Sequence, residues 1–183
     1  MSTIINGSSP SITFSDSTTQ TTAFTGSASQ ITSGTLPSAQ LPTGSVLQVV
    51  VGTTNTQVQN NTNSQVSTGL TATITPKFST SKILIISNIM GVTKDSTNSD
   101  NRIDFILKRG STQLDSSGAN SWTQGTAMYL RIHFAHSFYD SPATTSSTTY
   151  TWYFDNANNS NAAYVNKDGN SGTSQITLME IAG

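Results

Sequence analysis

Apolar and polar residues along this chain form short runs with the two-residue period of β-strands. The longest apolar run spans residues 82–92 (KILIISNIMGV) and is apolar in both alternation phases. Successive side chains of a strand point to opposite faces, so such a run belongs at the centre of a sheet that is covered on both sides. Residues 45–52 (SVLQVVVG) show the same pattern. The rest of the chain is therefore expected to supply a cover for each face.

Further alternating segments predict the other strands of the domain. These segments are residues 65–75, 102–108, 127–138, 148–155, 161–165 and 174–181. Phe105, Phe134 and Trp152 are expected to face the core, and a glycine turn at 108–111 predicts a hairpin to a short strand at 112–114. No window combines helical periodicity with helix caps. About eight strands with closely spaced turns predict an all-β domain, a sandwich or jelly roll.

Residues 1–43 differ in composition from the rest of the chain. They consist mainly of Ser, Thr, Gly, Gln and Ala, with scattered apolar residues. Ordering a residue costs about 1–2 kcal/mol of backbone entropy, which so little apolar area cannot offset. The segment is therefore expected to be an extended arm that lies on another chain, or alternatively along its own domain. We place the start of the β domain at residue 44.

The last predicted strand, residues 174–181, is apolar on both faces. Ile176 and Leu178 alternate with Thr177, whereas Met179 and Ile181 occupy the opposite phase. A terminal strand with this pattern needs a neighbour over its outer face or another subunit. Burying a few such side chains contributes several kcal/mol at about 25 cal/mol per Å². These four apolar residues therefore predict the interface of a homo-oligomer.

Charge and cysteine content narrow the classes of function. Only 9% of the residues are charged and the formal net charge is −1, so the chain lacks the basic field that attracts nucleic acid or an anionic membrane. The absence of cysteine excludes disulfides and thiolate metal sites. Residues 1–6 (MSTIIN) do not resemble an export signal, and no apolar run approaches the ~20 residues of a membrane span. The protein is expected to be soluble and made in the cytoplasm.

Short matches to catalytic motifs do not predict an enzyme. Ser79 and Lys82 fit Ser-x-x-Lys, but that motif requires a helix, and Lys82 opens a predicted strand. Glu180 is the sole glutamate, so it cannot by itself supply the paired carboxylates of a glycosidase. Hydrolysis of a surface polysaccharide would require Asp104, Asp140 or Asp155 to lie near it in space. Glu180 is expected to pair with Arg131 or to be solvated. No catalytic residue is therefore assigned.

Candidate metal ligands also have simpler explanations. His133 and His136 would point to opposite faces of a strand, so they cannot chelate one ion within a subunit. Three copies of one histidine around a trimer axis could do so, but a polar face and a strand end are the favoured explanation. Asn166, Asp168 and Asn170 imitate the start of a calcium loop, but the required glycine and glutamate are missing and a hairpin turn explains the same residues with fewer assumptions. No metal and no cofactor are predicted.

Two aromatic residues are candidates for contact with a receptor. Trp122 is flanked by small polar residues that are typical of a loop, and Tyr139 lies near the end of a predicted strand. An exposed aromatic ring can stack on the apolar face of a sugar. Trp122 and Tyr139 are therefore the candidate receptor contacts.

Four segments resemble tail-fibre and other virion structural proteins of aquatic tailed bacteriophages, including cyanophages. They are residues 12–23 (ITFSDSTTQTTA), 44–50 (GSVLQVV), 139–145 (YDSPATT) and 176–183 (ITLMEIAG). The resemblance implies a virion arm at residues 1–43, anchored by Ile12, Phe14 and Phe24. For residues 44–183 it implies a trimeric β domain similar to complement-head or tumour-necrosis-factor jelly rolls. Unlike a full fibre, the chain has no long shaft repeat.

Two functions are consistent with these features, and both place the protein in the virion. In the first, the protein is a trimeric fibre or spike component whose arm binds other virion proteins and whose outer loops bind a host surface glycan or protein. In the second, it decorates and cements the capsid. Neither requires nucleic acid, membrane insertion or catalysis.

Overall fold

A computed structural model describes residues 4–6, 11–13, 17, 19–20, 37–94, 102–120, 130–156, 162–168 and 172–183. The chain divides into two compact units, residues 1–40 and 41–183. The boundary lies three residues before the predicted one.

The first unit contains a small antiparallel sheet that the sequence did not predict. Its strands are β1 (Ile4–Asn6), β2 (Ser11–Thr13) and β3 (Thr19–Gln20), in the order β1-β2-β3. Ile12 lies in β2, opposite Ile5 of β1 and Gln20 of β3. A single-turn 3-10 helix follows at Ser38–Gln40. Phe14 and Phe24, the other two predicted anchors, lie outside the described residues.

The described residues of the second unit contain ten strands. They are β4 (Val46–Thr54), β5 (Val58–Asn60), β6 (Val66–Ile74), β7 (Lys82–Lys94), β8 (Arg102–Arg109), β9 (Thr112–Asn120), β10 (Leu130–Asp140), β11 (Thr148–Asn156), β12 (Ala163–Val165) and β13 (Ser174–Ile181). Every pairing between them is antiparallel.

The eight longer strands form two four-stranded sheets. The first sheet has the order β4-β13-β7-β10, with the short β12 and β5 continuing from the far end of β7. The second sheet has the order β6-β11-β8-β9. Two such interleaved sheets, with the first and last long strands side by side, are the arrangement of a jelly roll. The predicted all-β jelly-roll sandwich is thus confirmed.

The core lies between the two sheets and is built from the predicted inward faces. Phe105 and Trp152 are fully buried, and Phe134 retains 8% exposure. The Trp152 ring meets Phe134 edge-on, with ring centroids 5.4 Å apart, and its indole N–H donates a 2.8 Å hydrogen bond to the hydroxyl of Ser87. A buried indole needs such an acceptor because an unpaired buried donor is costly.

Replacing Trp152 tests how much this packing and its hydrogen bond contribute. We expect Trp152→Phe to lower the free energy of unfolding by about 2–4 kcal/mol, since it leaves a void and an unpaired Ser87 hydroxyl. Ser87→Ala alone should cost about 1 kcal/mol. Urea denaturation of both single variants and the double variant measures their coupling. Strictly additive losses would contradict an energetic role for the bond.

Over residues 83–89 the central strand β7 is covered on one face only, which corrects the sequence expectation for most of the run, whereas Val92, Thr93 and Lys94 at its end are buried in both phases. Ile83, Ile85 and Ile89 are buried between the sheets, but Ile86 on the opposite face is 44% exposed. Strand β4 shows the same asymmetry, because Val49 and Val51 are both about half exposed, at 51% and 52%. The second cover that the sequence pattern requires is absent from the described part of the chain.

Within the described ranges, no helix is both long enough and apolar enough to cross a bilayer.

Candidate functional site

The outward side of the first sheet carries an unusual concentration of exposed apolar side chains. Five large hydrophobic residues are exposed in the described part of the chain: Val46, Val49, Val51, Ile86 and Tyr139. All five lie on β4, β7 or β10, and all five point away from the core. We call this surface, together with Leu84, Met179 and Ile181, the outer apolar face.

The strand register arranges the outer apolar face in rows. Val49, Met179, Leu84 and Tyr139 lie opposite one another across the four strands. Neighbouring strands are about 4.8 Å apart, so this row spans roughly 15 Å. The next row places Val51 and Ile86 on either side of Thr177. The exposed apolar residues therefore form one continuous surface.

The outer apolar face ends in a polar depression. Asn88 and Gln175 lie opposite each other in the row beyond Ile86. Together with Thr173 and Thr177 they border a cavity of about 220 Å³. The face thus changes from apolar to hydrogen-bonding along the strands, which gives a partner molecule both a hydrophobic area and an orienting polar margin.

The structure corrects part of the predicted oligomer interface. Ile176 and Leu178 have no exposed surface and pack in the core of their own chain, so neither can contact another subunit. The sequence could not assign the phase of β13, because both of its faces are apolar. Met179 and Ile181 are only partly buried and lie on the outer apolar face.

The structure places one of the two candidate receptor contacts. Tyr139 is 55% exposed and lies within β10, opposite Leu84, so it belongs to the outer apolar face rather than to a loop. Trp122 lies outside the described residues.

Glu180 has a structural role that the sequence did not reveal. Its carboxylate is fully buried and accepts hydrogen bonds of 2.6 Å from the amide of Gln48, the hydroxyl of Ser81 and the backbone N–H of Lys77. Burial acts to raise the pKa of Glu180, but these hydrogen bonds and one from the backbone of Phe78 outweigh it and hold the pKa below its ordinary value.

The expected pairing of Glu180 with Arg131 is wrong. The guanidinium of Arg131 instead donates to the carboxylate of Asp168. Glu180 stands on the inward phase of β13, as the buried Ile176 and Leu178 do, whereas Arg131 is exposed.

A second buried polar cluster joins the two sheets. Arg109 donates two hydrogen bonds, of 2.9 and 2.7 Å, to the carboxylate of Asp140, and the hydroxyl of Tyr150 donates a third, of 2.7 Å. Burial of Tyr150, reinforced by the adjacent Asp140, raises the pKa of its phenol far above the ordinary value. Tyr150 therefore stays a neutral donor, and the cluster holds the fold together.

The candidate metal ligands are explained by the fold. His133 is exposed and His136 faces inward, as predicted, and His136 pairs with Asp115 at 3.0 Å. Asn166 and Asp168 have positive φ values of 52° and 62°, which suit the turn after β12. Among the residues that the structure describes, no group of three His, Cys, Asp or Glu side chains could hold a metal ion.

The outer side of the second sheet contains a polar groove that the sequence did not predict. It encloses about 420 Å³ and is lined by Gln65, Arg102, Asp104, Ile106, Gln113, Ser116, Ser117, Gly118 and Asp155. The strand register creates it, because Asp155 of β11, Asp104 of β8 and Gly118 of β9 lie directly opposite one another. We call this site the polar groove.

Two carboxylates face each other in the polar groove. Asp104 pairs with Arg102 at 3.0 Å, while burial and the neighbouring Asp104 raise the pKa of Asp155. Like charges directly opposite on a sheet are destabilising. No pattern in the sequence could have found this pair, since 51 positions separate the two residues and only the register of β8 and β11 joins them.

Comparisons with known proteins leave the family open. No protein-family model matches the chain, and no curated protein matches it. Among solved structures it is similar to Eiger TNF from S. frugiperda, with 11% sequence identity and a TM-score of 0.41, over 75% of this chain and 94% of that one. A likeness of this extent supports no inference about function. The jelly-roll assignment therefore rests on the strand order of the chain itself.

Proposed function

We propose that the protein is a structural component of a tailed-bacteriophage virion. In this proposal it is a homotrimeric fibre or spike subunit that residues 1–43 attach to the particle. Residues 44–183 display the β-sandwich, which binds the host surface. The protein acts by binding and assembly rather than by catalysis. The observation that carries the proposal is the outer apolar face, which lacks a cover within the described chain.

The outer apolar face supports self-association because of what surrounds it. Large contiguous apolar patches on soluble proteins mark interaction sites. Around its valines, Ile86 and Tyr139, the neighbouring outward residues are neutral threonine, serine, asparagine and glutamine, and Lys82 at one end is the only charge among them. A neutral face can meet a copy of itself without charge repulsion. Three copies is the number that the phage resemblance implies.

Three of the four segments that resemble phage proteins lie on the sheet that presents this face, and the fourth, residues 12–23, belongs to the first unit. Residues 44–50 enter β4 and residues 176–183 form most of β13, and these strands are neighbours. Residues 139–145 begin at the end of β10, which is the opposite edge of the same four strands. The resemblance is thus concentrated on the sheet that presents the outer apolar face, which supports a shared mode of assembly.

The buried carboxylates support a non-catalytic role. Those of Glu180 and Asp140 each accept several hydrogen bonds within the chain. Such carboxylates are already committed to stability and have no free position for a substrate.

Labelling intact particles tests the virion role. Antibodies against the purified full-length chain are applied, with gold detection, to particles of the phage whose genome encodes this sequence. We expect label at the tail, at the ends of fibres or spikes. Label over the head would instead support capsid decoration, and particles without label would overturn both virion functions. Particles whose copy of the gene carries a stop codon serve as the control.

A further inference from the structure

We infer that the polar groove of the second sheet binds a neutral sugar. The inference rests on the proposed function only for the source of the ligand, a glycan of the host surface. The groove itself is defined by the geometry of Asp104, Asp155 and Gly118. It is separate from the outer apolar face, which lies on the other sheet, so one molecule can assemble through one sheet and bind through the other.

The size and shape of the polar groove suit a sugar residue or two. Its volume of about 420 Å³ lies in the range of small-ligand sites. Gly118 leaves one wall without a side chain, opposite Asp104. Ile106 lies between Tyr153 and Ser116 in the adjacent row and lines the groove, but it is only 2% exposed, so the surface that the groove offers is mainly polar. Such a surface suits the hydroxyl groups of a sugar more than its C–H face.

The hydrogen-bonding groups of the polar groove complement hydroxyl groups. The carboxylates of Asp104 and Asp155 accept hydrogen bonds, the guanidinium of Arg102 donates them, and amide and hydroxyl side chains such as Gln113 and Ser116 do both. A sugar hydroxyl donates and accepts at one atom, and neighbouring hydroxyls can engage both oxygens of a carboxylate. Each group in the groove can therefore find a partner on one ring.

The charges of the polar groove favour a neutral ligand over an ion. Two carboxylates against one guanidinium repel a phosphate or a carboxylate ligand. The ion pair between Arg102 and Asp104 offsets one of the two negative charges, which weakens attraction for a cation. What remains is a site of alternating donors and acceptors with little net charge.

The facing carboxylates provide a second observation in favour of a ligand. Asp104 and Asp155 lie opposite each other, where like charges destabilise a sheet, and the ion pair between Asp104 and Arg102 offsets only part of this cost. Neither belongs to the buried networks around Glu180 and Asp140. A pair that opposes folding and lines an open groove is typical of a binding site.

Binding is measured with the full-length protein and defined probes. The probes are the methyl glycosides of glucose, mannose and galactose and the polysaccharides dextran, mannan and galactan, all in EDTA. Saturation-transfer NMR and calorimetry give the dissociation constants. We expect at least one probe to bind, and Asp104→Asn to weaken its binding at least tenfold, because hydrogen bonds to a charged group are the strong ones.

Two further variants separate binding from folding. Gly118→Val fills the groove with a side chain that strands accept well, so binding should fall at least tenfold without loss of structure. Asp155→Asn should raise the melting temperature by about 2 °C, since it removes the like-charge pair, and weaken binding at the same time. Gln59→Ala, an exposed change on β5, should alter neither.

The possible results either support or overturn the inference. No binding of any probe, binding that the three groove variants leave unchanged, or binding that appears only when CaCl₂ replaces EDTA would each overturn it. Release of reducing ends would contradict a purely binding groove. If virions carry the label but the groove variants bind sugar as well as the unaltered protein does, this inference is overturned and the proposed function stands. If the groove variants lose sugar binding but virions carry no label, the proposed function is overturned and this inference stands.

Discussion

A full-length chain with Ile86→Lys is expected to run as a monomer where the unaltered protein runs as a trimer. Ile86 lies in the middle of the outer apolar face, opposite Thr177 and between the rows of Leu84 and Asn88. A lysine there would have to lose its water of hydration in an apolar contact without a partner of opposite charge. We expect the dissociation constant to rise more than about 100-fold, which corresponds to roughly 3 kcal/mol.

Light scattering coupled to gel filtration measures this effect, with a matched control on the other sheet. Thr73 is exposed on β6, where its hydroxyl meets that of Thr149, so Thr73→Lys adds the same charge to a polar surface. The control should keep the mass of the unaltered protein, and circular dichroism should show that both variants remain folded. A monomeric unaltered chain, or a folded Ile86→Lys chain of unchanged mass, would rule out assembly through this face.

Removal of the Glu180 carboxylate is expected to cause the largest loss of stability. Glu180→Ala deprives Gln48, Ser81 and Lys77 of their shared acceptor, which is itself fully buried. The buried Ser81 hydroxyl and two partly buried donors would be left unpaired, at about 1–3 kcal/mol each, so we expect a loss of about 3–5 kcal/mol at pH 7. Urea denaturation measures it. A loss below about 1 kcal/mol would show that the network does not hold the fold together.

Glu180 should also make stability depend on pH, in a direction that its pKa fixes. The pKa of Glu180 is lower in the folded chain than in the unfolded chain, where it is about 4.3. Its contribution is therefore fully present above the unfolded value and is lost as the pH falls through the folded value. Glu180→Gln, which has the same shape, should lack this component. If the unaltered protein and Glu180→Gln lose the same amount of stability between pH 7 and pH 3, the pH dependence does not come from Glu180.

Strand positions were largely predictable, and the exceptions have a physical cause. Strands with a regular apolar period, such as β6 and β11, begin and end within about a residue of their predicted ends. Strand β9 runs to Asn120 rather than to residue 114. Its second half is mainly serine, glycine and asparagine, and it forms because β8 offers an unpaired edge. Such a strand depends on its neighbour and not on its own residues.

The candidate sites were less predictable than the strands. Strands β7 and β13 have apolar residues on both faces, which predicted that the outer face of their sheet would contact another molecule or segment. The sequence could not tell that Leu178 points inward and Met179 outward. The polar groove was missed altogether. Its carboxylates come from β8 and β11, and no local pattern records which residues of distant strands face each other.

The sequence by itself determined that this is an all-β chain with a sparsely charged surface and more apolar strand faces than one sandwich can cover. Alternation and composition are local properties, and they fix which segments become strands. Tertiary structure decided which apolar face stayed exposed and which polar residues met in one groove. Those outcomes depend on strand order and register, which are set when distant segments pair.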